Sequence, residues 1–254
     1  MLLSRKDADF LQEAIVRYGR IVTFKQLMHV FDGRYSRAQI RNRLSQLAKS
    51  GWLLRLKKGL YIIITDIGNL GSHDISLFSL AQALNKDSYI SFENALQHHG
   101  MFDQMLSNIT AITFKRARKY KLKGSEIKYF KIKKLLFFGF ARERSDINLV
   151  NIAEKEKALL DILYFNSSSY YISLIWEKLR EHKEDLNFAI LHQYAIKYGN
   201  AMVRKIGFLL DQLNIRTDDL LKIIKGDSSY AKLTKESKIF NAKWRLYFDP
   251  KLIE

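Results

Sequence analysis

The chain has 254 residues, 47% hydrophobic and 13% aromatic, with no cysteine and a formal net charge of +17. That composition builds a packed core rather than a disordered tail, and it excludes disulfides and thiolate metal sites. The basic excess points to an anionic partner, either nucleic acid or a negative membrane surface. No apolar run approaches the roughly 18 residues that span a bilayer, and the start, MLLSRKDADF, lacks a hydrophobic signal segment. A cytoplasmic protein with no membrane partner is therefore expected. The charge is concentrated. Residues 1–64 hold 13 Lys/Arg against 4 Asp/Glu, and residues 114–145 hold 12 against 2.

Along the chain, Phe10, Leu11, Ala14, Ile15 and Tyr18 recur at helical spacing before Gly19. Thr23 with Gln26 fits a capping box that opens a second helix carrying Leu27, Val30 and Phe31. Asp32-Gly33 predicts a turn. Ser36 with Gln39 caps a third helix, buried along Ile40, Leu44, Leu47 and Ala48. Trp52, Leu54, Leu56, Leu60 and Ile62 alternate as two strands do, with Lys57-Lys58-Gly59 at the turn. Three helices followed by a hairpin predict a winged helix-turn-helix over residues 1–65.

On the third helix, Gln39, Asn42, Ser45, Gln46 and Lys49 point away from the apolar stripe, with Arg41 and Arg43 on its shoulders. Amide side chains suit base edges, and arginines suit flanking phosphates. The expected contacts to double-stranded DNA are Arg37, Gln39, Arg41, Asn42, Arg43, Lys57 and Lys58. A solvated amphipathic helix beside a charged hairpin is the plain alternative. The charge of this segment and the order of its elements favour DNA.

Residues 66–74, within DIGNLGSHDI, read as a linker. Residues 75–254 read as a mixed α/β domain, which makes the expected class α+β. Leu77, Leu80, Ala81 and Leu84 share a helical face, and SYISFENALQHHG predicts a short strand, a Ser91 cap and a helix ended by Gly100. Ile109–Phe114 reads as a strand, and 115–134 as exposed-face strands rich in cations. LLFFGFA at 135–141 is short enough for a core strand. Helices are expected over Ala153–Phe165, Ile172–His182, Leu186–Tyr198, Ala201–Leu213 and Asp218–Ile224, and KWRLYF at 243–248 as a closing core strand.

GLYII at 59–63, SYISFENALQHHG at 88–100, NIAEKEKALLDILYF at 151–165 and NAMVRKIGFLLDQL at 200–213 occur in that order. Together they resemble the AbiEi-type antitoxins of abortive-infection systems, transcriptional regulators of viral defence. The likeness spans nearly the whole chain and lies in order and spacing, with no catalytic signature. It implies an N-terminal winged helix that binds repeats in the promoter of its own operon. It also implies a C-terminal domain that neutralises a nucleotidyltransferase-like toxin without requiring a stable complex. No cofactor and no enzymatic activity are implied. The candidate patch for antitoxicity is the basic strip Lys115, Arg116, Arg118, Lys119, Lys121, Lys123, Lys128, Lys131, Lys133 and Lys134, which could compete for the toxin's RNA or nucleotide substrate. A second nucleic-acid surface is the plainer account of the same strip.

Other readings fit parts of the same sequence. A DNA-binding regulator without a toxin partner, its second domain sensing a ligand or oligomerising, fits the same residues. Glu126-Ile127-Lys128 spells the end of a magnesium-dependent nuclease motif, with Asp103 as the nearest upstream acid. His98 and His99 are adjacent, so on a helix they point about 100° apart and are expected not to share a metal. Glu154 with Lys157 reads as a surface ion pair, and Asp161, among leucines, as a buried hydrogen-bond anchor. No P-loop or nucleophile motif occurs, and Gly59, Gly68 and Gly71 do not form a phosphate cradle.

Overall fold

The computed structural model describes residues 3–31, 33, 35–65, 75–122, 124–145 and 148–253. The predicted linker 66–74, with Gly68 and Gly71, lies outside the described residues, as do Asp32 of the expected turn and Lys123 of the basic strip. The chain is mixed α+β and divides into two units. One comprises Met1–Lys86 with Ser145–Asn148, the other Asp87–Arg144 with Leu149–Glu254.

In the first unit, helix α1 (Arg5–Tyr18) starts at Ser4, whose side chain accepts from the Asp7 N–H. Strand β1 (Ile21–Thr23) runs into α2 (Phe24–Val30), and α3 (Arg37–Lys49) follows. Both predicted capping boxes are present, Thr23 with Gln26 and Ser36 with Gln39. Each satisfies N–H groups that a helix start leaves orphaned. Strands β2 (Leu53–Lys57) and β3 (Leu60–Ile63) form the hairpin, and β1 adds to β3, giving the antiparallel order β1-β3-β2. Phe10 stacks on Phe31 over a core of Leu27, Ile40, Leu44, Leu47, Leu53 and Ile63.

Two details differ from the sequence reading. Strand β1 was not expected, because three residues are too few to show a period. In β2 the buried residue is Leu53, while Leu54 is exposed, and the pairing shifts between Arg55 and Lys57. A one-residue slip turns every side chain of a strand to the other face. Helix α4 (Leu77–Leu84) groups with this first unit, although the sequence placed it at the start of the second. The Lys57 ammonium donates to the Leu84 carbonyl at its end, 2.6 Å away.

The second unit is built on a six-stranded sheet ordered β6-β7-β5-β4-β9-β8. Its strands are β4 (Ser88–Ile90), β5 (Ile109–Thr113), β6 (Arg118–Leu122), β7 (Ser125–Lys131), β8 (Phe140–Ser145) and β9 (Asn148–Ala153). Pairing is parallel between β4 and β9 and between β5 and β7, and antiparallel between β4 and β5 and between β6 and β7. Helix α5 (Phe92–His98) follows β4. Residues 135–141 are not a core strand. Lys134–Leu136 is a 3-10 turn with Leu135 exposed, and only Phe140 onward is extended. Gly139, at φ +70°, turns the chain between them, a conformation that favours glycine.

Helix α6 (Lys155–Phe165) is buried on almost every side, including Ala158, Leu159, Leu160, Ile162 and Leu163. Each large apolar side chain buried there contributes about 1.5–3 kcal/mol. Around it pack α7 (Ser169–Glu181), α8 (Phe188–Tyr198) and α9 (Asn200–Gln212), and α10 (Asp218–Ile224) lies against α8 and α9. These are the five expected helices, with small differences at their ends. A small sheet ordered β10-β12-β11 (Ala231–Lys232, Leu246–Phe248 and Ile239–Asn241) closes the unit. Only the end of KWRLYF is a strand. Trp244 is instead a buried plug over α9, where a Cβ on Gly207 would overlap its ring.

Candidate nucleic-acid interface

Helix α3 buries Ile40, Leu44 and Leu47 and exposes Arg37, Gln39, Arg41, Asn42, Ser45, Gln46 and Lys49. Gln39, Asn42, Gln46 and Lys49 follow helical spacing and form one outward stripe. Among the described residues, the side chains of Arg37, Arg41, Asn42, Gln46 and Lys49 make no hydrogen bond or ion pair. Gln39 is partly committed, since its Oε1 accepts from the Ser36 N–H at 2.8 Å. That bond leaves its NH2 and one lone pair of Oε1 unused but holds the amide at the helix start, whereas a bidentate contact to adenine needs both ends turned to the base.

Two of the expected contacts hold the protein together instead. Arg43 is half-buried. Its Nε donates to Asp7 of α1 at 2.5 Å, and its guanidinium lies 5.1 Å from the Tyr35 ring centre and 5.8 Å from that of Phe31. Desolvation opposes its charge, but the bonds to Asp7 and Tyr35 win and raise its pKa. Lys57 is held by the Leu84 carbonyl, whereas Lys58 at the tip is exposed. Periodicity places a side chain on a helix shoulder but does not reveal the acid from another helix that reaches it.

The cations of 115–134 do not form one patch. Register pairs Lys119 with Lys128 and Lys121 with Glu126, so these four share a sheet face with Phe130. Arg118, opposite Tyr129, and Lys131, two residues on from Tyr129, lie on the other face. Lys115 and Arg116 precede β6, and Lys133 and Lys134 stand at the 3-10 turn. Some have partners: Lys119 lies 3.3 Å from Glu126, Lys115 lies 3.9 Å from Asp87, and Lys128 sits 4.2 Å from the Phe130 ring centre. Strand β6 is a sheet edge, and lysines along an edge discourage pairing with other chains.

A cation that the sequence reading put at the surface is fully buried. Lys157 and Asp161, one turn apart on α6, have no exposed side-chain surface and lie 2.5 Å apart. Lys157 also donates to the Tyr89 and Tyr198 hydroxyls at 2.7 and 2.5 Å. Asp161 accepts from Ser91 at 2.7 Å, from Tyr89 at 3.1 Å and from Tyr198. The expected Glu154–Lys157 pair is therefore absent, and Glu154 accepts instead from the Tyr194 hydroxyl at 2.6 Å. Ser91 makes no capping bond to α5 because its hydroxyl is turned to Asp161. Burial lowers the Lys157 pKa against the pull of Asp161, and burial, then the Asp161 charge, raises those of Tyr89 and Tyr198. The cluster joins β4, α6 and α8, as expected of Asp161 as a hydrogen-bond anchor.

Glu126 has Lys119 as its ion-pair partner and Lys121 opposite it in register, and no group of three metal-ligand side chains among the described residues includes Glu126 or Asp103. His98 and His99 behave differently from two neighbours within a helix. His98 ends α5 and His99 is its C-cap, with the ring centres 5.2 Å apart. No helix among the described residues is long and apolar enough to cross a membrane.

No protein-family model and no curated protein matches the chain. Among solved structures, it is similar to the crystal structure of the RV2827C protein from Mycobacterium tuberculosis, with a TM-score of 0.57 and 14% identity. That likeness covers 95% of this chain and 91% of the other. At that identity the shared feature is the fold.

Proposed function

We propose that the first unit is a winged helix-turn-helix that binds double-stranded DNA, with α3 as the recognition helix and the β2–β3 turn as the wing. The observation that carries this reading is the outer face of α3. Arg37, Arg41, Asn42, Gln46 and Lys49 stand on it with no partner among the described residues, opposite a fully buried stripe. A helix merely solvated on that side needs no such concentration of unpaired cations and amides. Asn42 and Gln46 are the base-reading side chains, and Arg37, Arg41, Lys49 and Lys58 the phosphate contacts. Gln39 is held at the helix start by its bond from the Ser36 N–H. Arg43 and Lys57 must first leave Asp7 and the Leu84 carbonyl.

The likeness to AbiEi-type antitoxins extends this reading to the whole chain. The protein is then a cytoplasmic autorepressor and antitoxin, not an enzyme, binding repeats in its own promoter and neutralising a nucleotidyltransferase-like toxin. The cations on the Lys119/Lys121/Lys128 face are the first candidates for antitoxicity.

Fluorescence anisotropy tests the DNA reading, comparing the protein's own upstream sequence with a scrambled duplex. A preference of about a thousandfold is expected. With four phosphate contacts, log K falls with log salt at a slope of about −3.6. Equal, weak binding to both duplexes would refute a sequence-specific repressor. Co-expression with the toxin tests the rest, and rescue that survives reversal of Lys119, Lys121 and Lys128 to glutamate removes that face from the antitoxin role.

A further inference from the structure

Helix α5 ends on a histidine pair. His98 is its last residue, and His99 is the C-cap at φ −87°, ψ 7°, its N–H donating to the carbonyls of Ala95 and Gln97. Gly100 follows at φ +73°, and the Met101 N–H returns to the Leu96 carbonyl at 2.8 Å. This closure holds the two imidazoles near one another, their planes at 75°. From β8, a Glu143 carboxylate oxygen hydrogen-bonds His98 Nε2. His99 Nε2 donates to the Ala153 carbonyl at 2.8 Å, which leaves Nδ1 as its lone-pair nitrogen.

One ring nitrogen of each histidine and one carboxylate oxygen of Glu143 lie within 4.8 Å of one another. In a tetrahedral zinc site with bonds of about 2.0–2.1 Å, ligand atoms stand about 3.3 Å apart. Side-chain shifts on the order of 1 Å close that gap. The side chains of His98 and Glu143 are 27% and 34% exposed, so they have room to move and an ion has a path in. Two imidazoles and one carboxylate suit zinc and its neighbours rather than magnesium or calcium. A histidine whose second nitrogen donates to a backbone carbonyl is oriented as metal-bound histidines are.

We propose that His98, His99 and Glu143 bind one divalent transition-metal ion of the zinc type, leaving a fourth position open to water or another ligand. The site rests on nothing in the DNA-binding reading. Binding displaces the proton shared by His98 and Glu143 and ties the end of α5 to the edge strand β8.

Calorimetric titration of the full chain with ZnCl2 tests this. One ion per chain is expected, with affinity reduced roughly tenfold or more in His98→Ala and in Glu143→Gln and unchanged in His182→Ala, a histidine paired with Asp185 elsewhere. Melting in EDTA checks that the variants fold. Co2+ added to the unaltered protein supplies a readout independent of mutation, since a low-coordinate nitrogen/oxygen site gives intense visible absorption that excess Zn2+ abolishes. Absence of that absorption together with no zinc uptake overturns the proposal. So does zinc binding of equal strength in His98→Ala and Glu143→Gln.

Discussion

Arg41 on α3 and Lys157 on α6 are both helix cations in one basic chain, and they have opposite surroundings. Arg41 is exposed and has no partner among the described residues, whereas Lys157 has no exposed surface and touches a carboxylate and two phenols. Net charge counts them equally. An exposed cation is available to an anionic ligand and contributes little to folding. A buried one is unavailable, and the fold depends on its partner. Arg43 stands between them, half-buried and paired with Asp7.

The comparison breaks first at Asp161. Asp161→Ala leaves Lys157 buried without its counter-ion, and the expected loss is about 3–5 kcal/mol in a urea titration. The double variant Lys157→Met/Asp161→Leu should recover most of that loss, because an apolar pair needs no counter-charge. A loss below about 1 kcal/mol in Asp161→Ala would mean that Lys157 finds water, and the contrast with Arg41 would disappear.

On α3 the same contrast is drawn between neighbours. Asn42→Ala is expected to cost about 1–3 kcal/mol of binding to the cognate duplex, with no change in melting temperature. Arg41→Ala should weaken cognate and scrambled duplexes alike and reduce the salt slope by about 1. Arg43→Ala should do the reverse, lowering stability by up to about 1 kcal/mol as its partly exposed ion pair is lost. Its DNA affinity, measured on the folded protein, should barely change. If Arg43→Ala loses DNA binding as Arg41→Ala does, Asp7 is not its main partner.

Alkaline pH probes the buried groups together. Tyr89, Tyr129 and Tyr198 all have pKa values pushed well above the ordinary 10.0, chiefly by burial. Above pH 10 the unfolded chain gives up these protons and the folded one keeps them, so each group removes up to about 1.4 kcal/mol of stability per pH unit. Lys157 acts oppositely. Its folded pKa is lowered by burial below the ordinary 10.5, so its contribution improves as pH rises towards that value. Three phenols outweigh one ammonium, and the urea midpoint should fall between pH 10 and 11. A flat profile would mean that the phenols reach water.

Much of the fold was legible because its signals are local. The Thr23/Gln26 and Ser36/Gln39 boxes each lie within four residues, and the five helices from 153 to 224 announce themselves by periodicity. Strand β1 and the β8–β9 pair were missed because short strands are defined by their neighbours. The one-residue slip at Leu53 has the same origin, since a bulge decides which leucine faces inward. At the candidate interface, the outer face of α3 followed from helical spacing alone. The commitment of Arg43 to Asp7, 36 positions away, did not.

By itself the sequence determined where the helices begin, which of their faces are apolar, and that positive charge gathers in two stretches. Those properties depend on neighbours within a turn or two of chain. Only the tertiary structure decided which cations remain free, that Lys157 is buried with Asp161 and two tyrosines, and that His98, His99 and Glu143 meet. Each of those facts is a contact between residues distant in sequence, or a burial that depends on the whole packed unit, and no local pattern carries that information.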